Sequence, residues 1–181
     1  MKSVELLREK LPQGRVREDD ETRRAHAHDY WGFEAIHDVA GNPTPAPPAV
    51  VFPESTEEVV TVLEIADAQR TSIVPYGLGS GVCGGVRPGA EALVVDLSRM
   101  DALLELDETA ATARVQAGLN GAECERLVAE RGFTLGHFPQ SIAVSTVGGW
   151  VSTRASGQLS TRYGNIEDMV LALEVVLPGG R

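Results

Sequence analysis

The sequence predicts an α+β fold of two α/β lobes, a small β-α-β lobe followed by a mixed or antiparallel one. Three observations lead there. A strand–helix–strand pattern runs from Ala49 to Tyr76, and a segment from Ala111 to Ala117 alternates with period two. Two stretches rich in small residues, Pro75–Gly85 and Gly136–Val170, interrupt the regular pattern. The chain accordingly divides into a lead-in and linker (1–45), a first lobe (46–100) and a second lobe (101–181).

Residues 1–40 are polar and read as helical, and they hold three of the four histidines. His26-x-His28 has ligand residue types but lacks supporting Cys, Asp or Glu spacing, so no metal is assigned. Asn42–Pro48 (NPTPAPP) reads as an extended linker. Ala49–Phe52 is a short apolar run, read as a strand. Ser55-x-x-Glu58 matches a capping box, in which each side chain satisfies a free amide of the other residue. Val59, Val62, Leu63 and Ala66 follow at helical spacing, and Thr71–Tyr76 reads as the next strand. A β-α-β unit this compact implies parallel strands and a right-handed crossover. Ala92–Leu97 reads as a third strand.

In the second half, the alternation of Ala111–Ala117 buries one face and wets the other. Asn120-x-x-Glu123 caps a helix running to about Arg131. Met169–Leu177 (MVLALEVVL) reads as a strand, and Pro178-Gly179-Gly180 as a turn. A turn without a returning strand leaves a sheet edge unpaired. The chain therefore reads as truncated, with a natural terminus after an edge strand as the other reading.

Composition narrows the function. Sixteen basic and 26 acidic residues give a net charge of −10, with no Lys/Arg cluster. This disfavours nucleic acid and anionic membranes as partners. Apolar runs fall well short of the about 20 residues of a membrane span. The N-terminus (MKSVELLREKLPQGR) has no apolar signal core, so a cytoplasmic protein is expected. Cys83 and Cys124 make neither a disulfide framework nor a zinc site, and Cys124 is expected as a small buried residue. A small-molecule substrate is the expected partner, and a homodimer is left open.

Pro75–Gly85 (PYGLGSGVCGG) contains a formal G-x-G-x-x-G at Gly79, Gly81 and Gly84. The dinucleotide fingerprint needs a helix to open at the last glycine, so that its N-terminus holds the diphosphate. Val86-Arg87-Pro88-Gly89 starts no good helix, so that reading fails, and no Gly-Lys-Ser/Thr marks a Walker loop. Glycine amides can still form a concave nest around phosphate oxygens, and Ser80 adds a hydroxyl. A tight strand connection would need only one or two of these glycines.

The second stretch, GHFPQSIAVSTVGGWVSTRASGQLSTRYGNIEDMV, crowds small residues and hydroxyls beside apolar ones. Each glycine costs about 1 kcal/mol in an element interior, so such a run reads as a place where backbone approaches another group. A plain surface loop is the alternative.

Ser145–Ser156 (STVGGWVSTRAS), Tyr163–Val170 (YGNIEDMV) and Arg24–His28 (RAHAH) carry a resemblance. Together with the glycine loop they resemble the PCMH-type FAD-binding domain of the vanillyl-alcohol-oxidase flavoproteins, and within that family the alkyl-dihydroxyacetone-phosphate synthases and bacterial FAD-linked oxidases. The resemblance covers about residues 20–181. It implies FAD bound without a Rossmann fold. Pro75, Tyr76, Gly77, Leu78, Gly79, Ser80 and Gly81 would face the diphosphate. Gln140, Ser141, Ser145, Thr146 and Gly149 would form a second cofactor segment, and Thr153, Arg154, Ala155 and Ser156 a third. Gly164, Asn165 and Ile166 would approach the flavin ring or ribityl chain. Arg154 would offset phosphate charge, or else be a surface cation, and His137 reads as a loop-packing residue. Gln140 and Ala143-Val144 depart from the Asp and Glu-Phe types of the synthases, and no histidine near Ser80 offers covalent attachment. The resemblance thus implies the FAD-binding portion of an oxidoreductase acting on a small 2-hydroxy acid or alcohol. The alternatives are a synthase-like transferase and an inactive flavin-binding module. The catalytic residues of the synthases have no counterpart here, and none is assigned.

Overall fold

Ala49, Val50 and Val51 are fully buried, as an uninterrupted apolar run is when both faces of a strand are covered. In the computed structural model, which describes residues 1–181, this run forms β2 (Val50–Val51) of a four-stranded sheet. Its other strands are β1 (Val16–Arg17), β3 (Ile73–Tyr76) and β4 (Leu93–Asp96), in the order β1-β2-β4-β3. β2 and β3 both run parallel to β4, and β1 runs antiparallel to β2. Three helices lie in the first part of the chain: α1 (Lys2–Lys10), α2 (Asp20–Ala25) and α3 (Gly32–Val39). A fourth, α4 (Thr56–Gln69), connects β2 to β3 as the β-α-β pattern predicts, with β4 inserted between the two strands.

The chain divides into two units, Met1–Arg99 with Val175–Arg181, and Met100–Glu174. In the first, Val4, Leu7 and Leu11 pack with Ala49, Val51, Val62, Leu93 and Val95, so α1 supplies part of the sheet's cover. Ser55 caps α4 by accepting the Glu58 N–H at 3.3 Å. The reciprocal half of the box differs from expectation. Glu58 Oε2 accepts the N–H of Glu54, not of Ser55, and the Arg15 Nε, both at 2.8 Å. Arg15 also reaches Glu54, so a cation from outside α4 draws the Glu58 carboxylate one residue upstream.

The second unit contains an antiparallel pair, β5 (Leu103–Asp107) and β6 (Thr112–Val115). Helix α5 (Gly121–Ala129) begins where Asn120 Oδ1 accepts the amides of Ala122 and Glu123, at 2.9 and 3.2 Å. It is slightly shorter than expected, and the chain turns at Gly132 (φ +81°). Cys124 on α5 is buried, and burial, with the nearby Glu125 charge, pushes its thiol up to about 11. Three short helices follow: α6 (Val147–Thr153), α7 (Ser160–Tyr163) and α8 (Ile166–Met169).

The expected strand Met169–Leu177 is corrected here. Met169 closes α8, and residues 170–177 pair with no strand. The apolar residues of this segment stay uncovered, with Leu171, Leu173, Val175 and Leu177 at 82%, 62%, 60% and 49% exposure and Ala172 and Glu174 between them exposed as well. Alternation describes one segment, whereas a strand also needs a neighbour to take its backbone groups. No helix is long and apolar enough to cross a membrane.

Leu7 is fully buried against the sheet. Leu7→Ala is expected to destabilise the protein by about 2–5 kcal/mol in urea unfolding, through lost transfer energy and the cavity left behind. A loss below about 1 kcal/mol would show that α1 is not part of the core.

Candidate functional site

The adjacent parallel strands β3 and β4 require the chain to return along the sheet, a task usually given to a helix. Here no helix forms between Gly77 and Ala92, and the return is made by the glycine-rich loop. The loop leaves the carboxyl end of β3, the end at which parallel sheets commonly receive ligands. Gly79 has φ +65°, and a Cβ there would overlap the Tyr76 phenol. Gly84 has φ +71°, and a Cβ there would lie 2.7 Å from the Trp31 ring.

The sequence reading treats this loop as one nest, but the structure divides it. The Gly85 N–H donates to Asp29 Oδ2 at 2.8 Å, and the Val86 N–H reaches the same oxygen at 3.5 Å. The amides from Gly77 to Gly84 donate to no protein acceptor. Neighbouring amides of this kind, with the Ser80 hydroxyl, are the donor set that a dianionic diphosphate requires. The residues present therefore fit the FAD diphosphate. Leu78, which replaces a glycine of the family pattern, is 36% exposed.

The two histidines of the lead-in face different partners. His26 Nε2 lies 2.8 Å from Asp96 Oδ2 and Nδ1 lies 2.7 Å from the Thr22 carbonyl, so both ring nitrogens meet acceptors. The ring packs 4.5 Å from Tyr76 and 5.7 Å from Phe52. Burial pulls the His26 pKa down, but the bonds to Asp96 and Thr22 and the Asp96 charge together outweigh it and hold the pKa above its ordinary value. Burial, then the charges of Asp96, Tyr30 and Asp29, push the Tyr76 phenol up to about 12. His28 instead meets the Asp29 carbonyl and the Asp38 carboxylate.

In the second unit the hydroxyl-rich block is organised around Trp150, which is buried. Its Nε1 donates to Ser145 Oγ at 2.7 Å, and that hydroxyl donates to the Ser141 carbonyl at 2.7 Å. Thr146 Oγ1 caps α6 by accepting the Gly149 N–H at 3.1 Å. The Gly148 N–H donates to the Ala117 carbonyl at 2.8 Å, and a Cβ on Gly148 would sit 2.7 Å from Ala117 Cβ. Ser145, Thr146 and the Gly149 amide thus spend these groups on internal bonds. Gln140 stays exposed, beside the half-buried Ser141.

The two later segments expected at the cofactor are joined to each other. Ser156 Oγ donates to Asn165 Oδ1 at 2.7 Å, and the Ile166 N–H reaches the Ala155 carbonyl at 3.3 Å. Gly164 has φ +89°, and the Asn165 amide that follows it donates to Asp168 at 2.8 Å. Thr153 Oγ1 donates to the Gly149 carbonyl. Arg154 is exposed and paired with Glu167 at 2.9 Å, the surface-cation arrangement. His137 is fully enclosed, with neither ring nitrogen hydrogen-bonded and its ring 4.7 Å from Trp150; burial pulls its pKa down.

His26, Asp29 and Trp31 touch the candidate loop or its flanking strands, and none was singled out for this role from the sequence. The available signal was RAHAHDYW, in which titratable and aromatic residues sit in an otherwise polar lead-in.

A raised His26 pKa means that folding favours the imidazolium. Its contribution is complete below the unfolded histidine value of about 6.5 and is lost as pH rises through the folded value. The stability difference between wild type and His26→Gln, from urea midpoints, is therefore expected to be larger at about pH 6 than at about pH 9. A difference that stays constant or grows would contradict the charged pair.

Comparison with known proteins bears on the whole chain. An FAD-binding domain family matches residues 47–181. The chain is similar to an alkyldihydroxyacetonephosphate synthase of Trypanosoma brucei brucei, 34% identical over 187 residues, covering 98% of this chain and 30% of that protein. It is also similar to the glycolate oxidase subunit GlcD of Bacillus subtilis, 37% identical over 134 residues, covering 74% of this chain and 28% of that protein. A solved alkyldihydroxyacetonephosphate synthase superposes with a TM-score of 0.88 at 32% identity, covering 94% of this chain and 32% of that one. The chain thus spans 28–30% of the length of the two relatives described.

Proposed function

This chain belongs to the FAD-binding domain family of flavin-dependent enzymes, its cofactor is FAD, and from that premise we propose that it is the cofactor-binding portion of an oxidoreductase acting on a small 2-hydroxy acid or alcohol. The supporting observation is where the synthase-like residues lie. Ser145, Thr146 and Trp150 are buried and bonded to their own unit, so their match to the synthases is accounted for by packing. The positions that depart from the synthases, Gln140, Ala143 and Val144, are exposed. Shared packing with different exposed chemistry favours a relative with another reaction. The similarity to a protein named for glycolate, itself a 2-hydroxy acid, supports the same substrate class.

In this reading Pro75–Gly81 holds the diphosphate through the unspent amides and the Ser80 hydroxyl. Within the second unit, Gln140 and Ser141, Thr153–Ser156 and Gly164–Ile166 are the residues that the resemblance assigns to the cofactor. Ser145, Thr146 and Gly149 bond within the same unit and hold those segments in place. When bound, FAD supplies a two-electron acceptor for a carbon bearing a hydroxyl. The residues of this chain bind and orient it.

A synthase-like transferase is the second reading, favoured by 34% identity over 98% of this chain. The full-length protein, loaded with FAD and mixed without oxygen with a panel of 2-hydroxy acids and alcohols, is expected to lose its visible flavin absorption with one of them and to yield the oxidised product. No loss with any of them, together with exchange of an acyl for an alkyl chain on dihydroxyacetone phosphate, would overturn the oxidoreductase reading in favour of the transferase.

A further inference from the structure

The matched family region begins at residue 47, yet the glycine loop is held largely from outside it. Residues 26–34 lie along the loop and its flanking strands and grip them at successive points. His26 bonds Asp96 at the end of β4 and packs on Tyr76 at the end of β3. The Tyr30 N–H donates to the Gly79 carbonyl at 3.1 Å. The Trp31 ring lies against Gly84 so closely that no side chain fits there. Glu34, fully buried, pairs at 2.8 Å with Arg87 just beyond the loop.

Asp29 sits at the middle of this strap and is 4% exposed. Its Oδ1 accepts the Trp31 N–H at 3.0 Å, which fixes the carboxylate to its own segment. Its Oδ2 accepts the amides of Gly85 and Val86, and a Cβ on Gly81 would lie 2.9 Å from that oxygen. One end of the glycine loop therefore already holds an anion, supplied by the protein.

Two consequences follow from elementary chemistry. A carboxylate bonded to the Gly85 and Val86 amides consumes those donors, leaving the upstream amides, Gly77–Gly81 among them, as vacant donors. The Tyr30 bond acts on the same half. A trans peptide sets its C=O and N–H on opposite sides. With the Gly79 carbonyl turned to the strap, the Ser80 N–H faces away from it.

We propose that residues 26–34 are a positioning strap for the glycine loop, and that Asp29 is its central positioning residue, fixing Gly77–Gly81 as the half that takes the diphosphate. The proposal rests on the reading of this loop as the FAD diphosphate site. Asp29 touches loop amides and acts on the ligand through them.

The test compares three probes on the full-length protein freed of flavin: FAD, ADP (diphosphate without flavin) and riboflavin (flavin without phosphate). Asp29→Asn keeps the shape of the side chain but turns one of its two accepting oxygens into a donor, so either the Trp31 or the Gly85 bond is lost and the loop is released from the strap. It is expected to weaken FAD and ADP binding by about tenfold, the scale of a charge-assisted hydrogen bond, while riboflavin binding is unchanged. Trp31→Ala, which leaves the carboxylate in place, is expected to shift the probes in the same direction and serves if Asp29→Asn does not fold. Equal weakening of all three probes would mean a merely structural role and would overturn the proposal, as would no change in any. Wild-type protein that binds riboflavin as tightly as FAD and does not bind ADP would overturn the diphosphate reading itself. That failure is distinguishable because it precedes any substitution.

Discussion

The parallel pairing of β3 with β4 is the constraint on which the first unit turns. Parallel neighbours need a long return path, and the helix that usually provides it also stiffens it. This chain spends its one long helix, α4, between β2 and β3 and makes the second return as an irregular loop. A loop of that length would carry many unsatisfied backbone groups and considerable conformational freedom. The lead-in limits that freedom through an anion, a histidine and one aromatic ring, Trp31, placed along its path. The amides from Gly77 to Gly84 stay without a protein acceptor, a run of adjacent donors suited to a ligand.

The second unit solves a different problem with similar residues. Its glycines bring backbone against backbone or against Trp150: Gly148 lies on Ala117, and Gly121 lies under the indole. Its hydroxyls satisfy the buried indole N–H and the first turn of α6. Small residues in the first unit leave donors free, and small residues in the second consume them. A run of Gly, Ser and Thr thus carries two physical meanings, separable only once the partners of each group are known.

Much of the fold was legible because it is encoded locally. The helical spacing after Ser55 and the Asn120 cap each depend on residues within a few positions of one another, and each appears as read. Ala111–Ala117 supplies β6, but its burial does not alternate, with Thr112 and Val115 half-buried and Ala113 and Arg114 both exposed, because β6 pairs only with β5. The failure of Val86-Arg87-Pro88-Gly89 to open a helix was equally local. The FAD assignment was legible through a resemblance carried by specific blocks. The rest depends on distant partners. β5 (LLELD) has no clean alternation and is defined by its pairing with β6. The strand-like Met169–Leu177 has the alternation without the neighbour. Asp29 meets its amide partners 56 and 57 residues along the chain, and His26 meets Asp96 at a separation of 70. No pattern in the lead-in announces those contacts, so its part in shaping the loop becomes visible only in three dimensions.

The central claim is that the unspent amides around Gly79 hold the FAD diphosphate. The most direct measurement is the visible absorption spectrum of the full-length protein after incubation with FAD and desalting, for wild type and Gly79→Ala. A methyl group at Gly79 would overlap Tyr76 and strain a backbone at φ +65°. The account predicts a wild-type protein that keeps its flavin bands and a Gly79→Ala protein that is colourless yet folded by circular dichroism. A folded Gly79→Ala protein that retains as much flavin as wild type would contradict it.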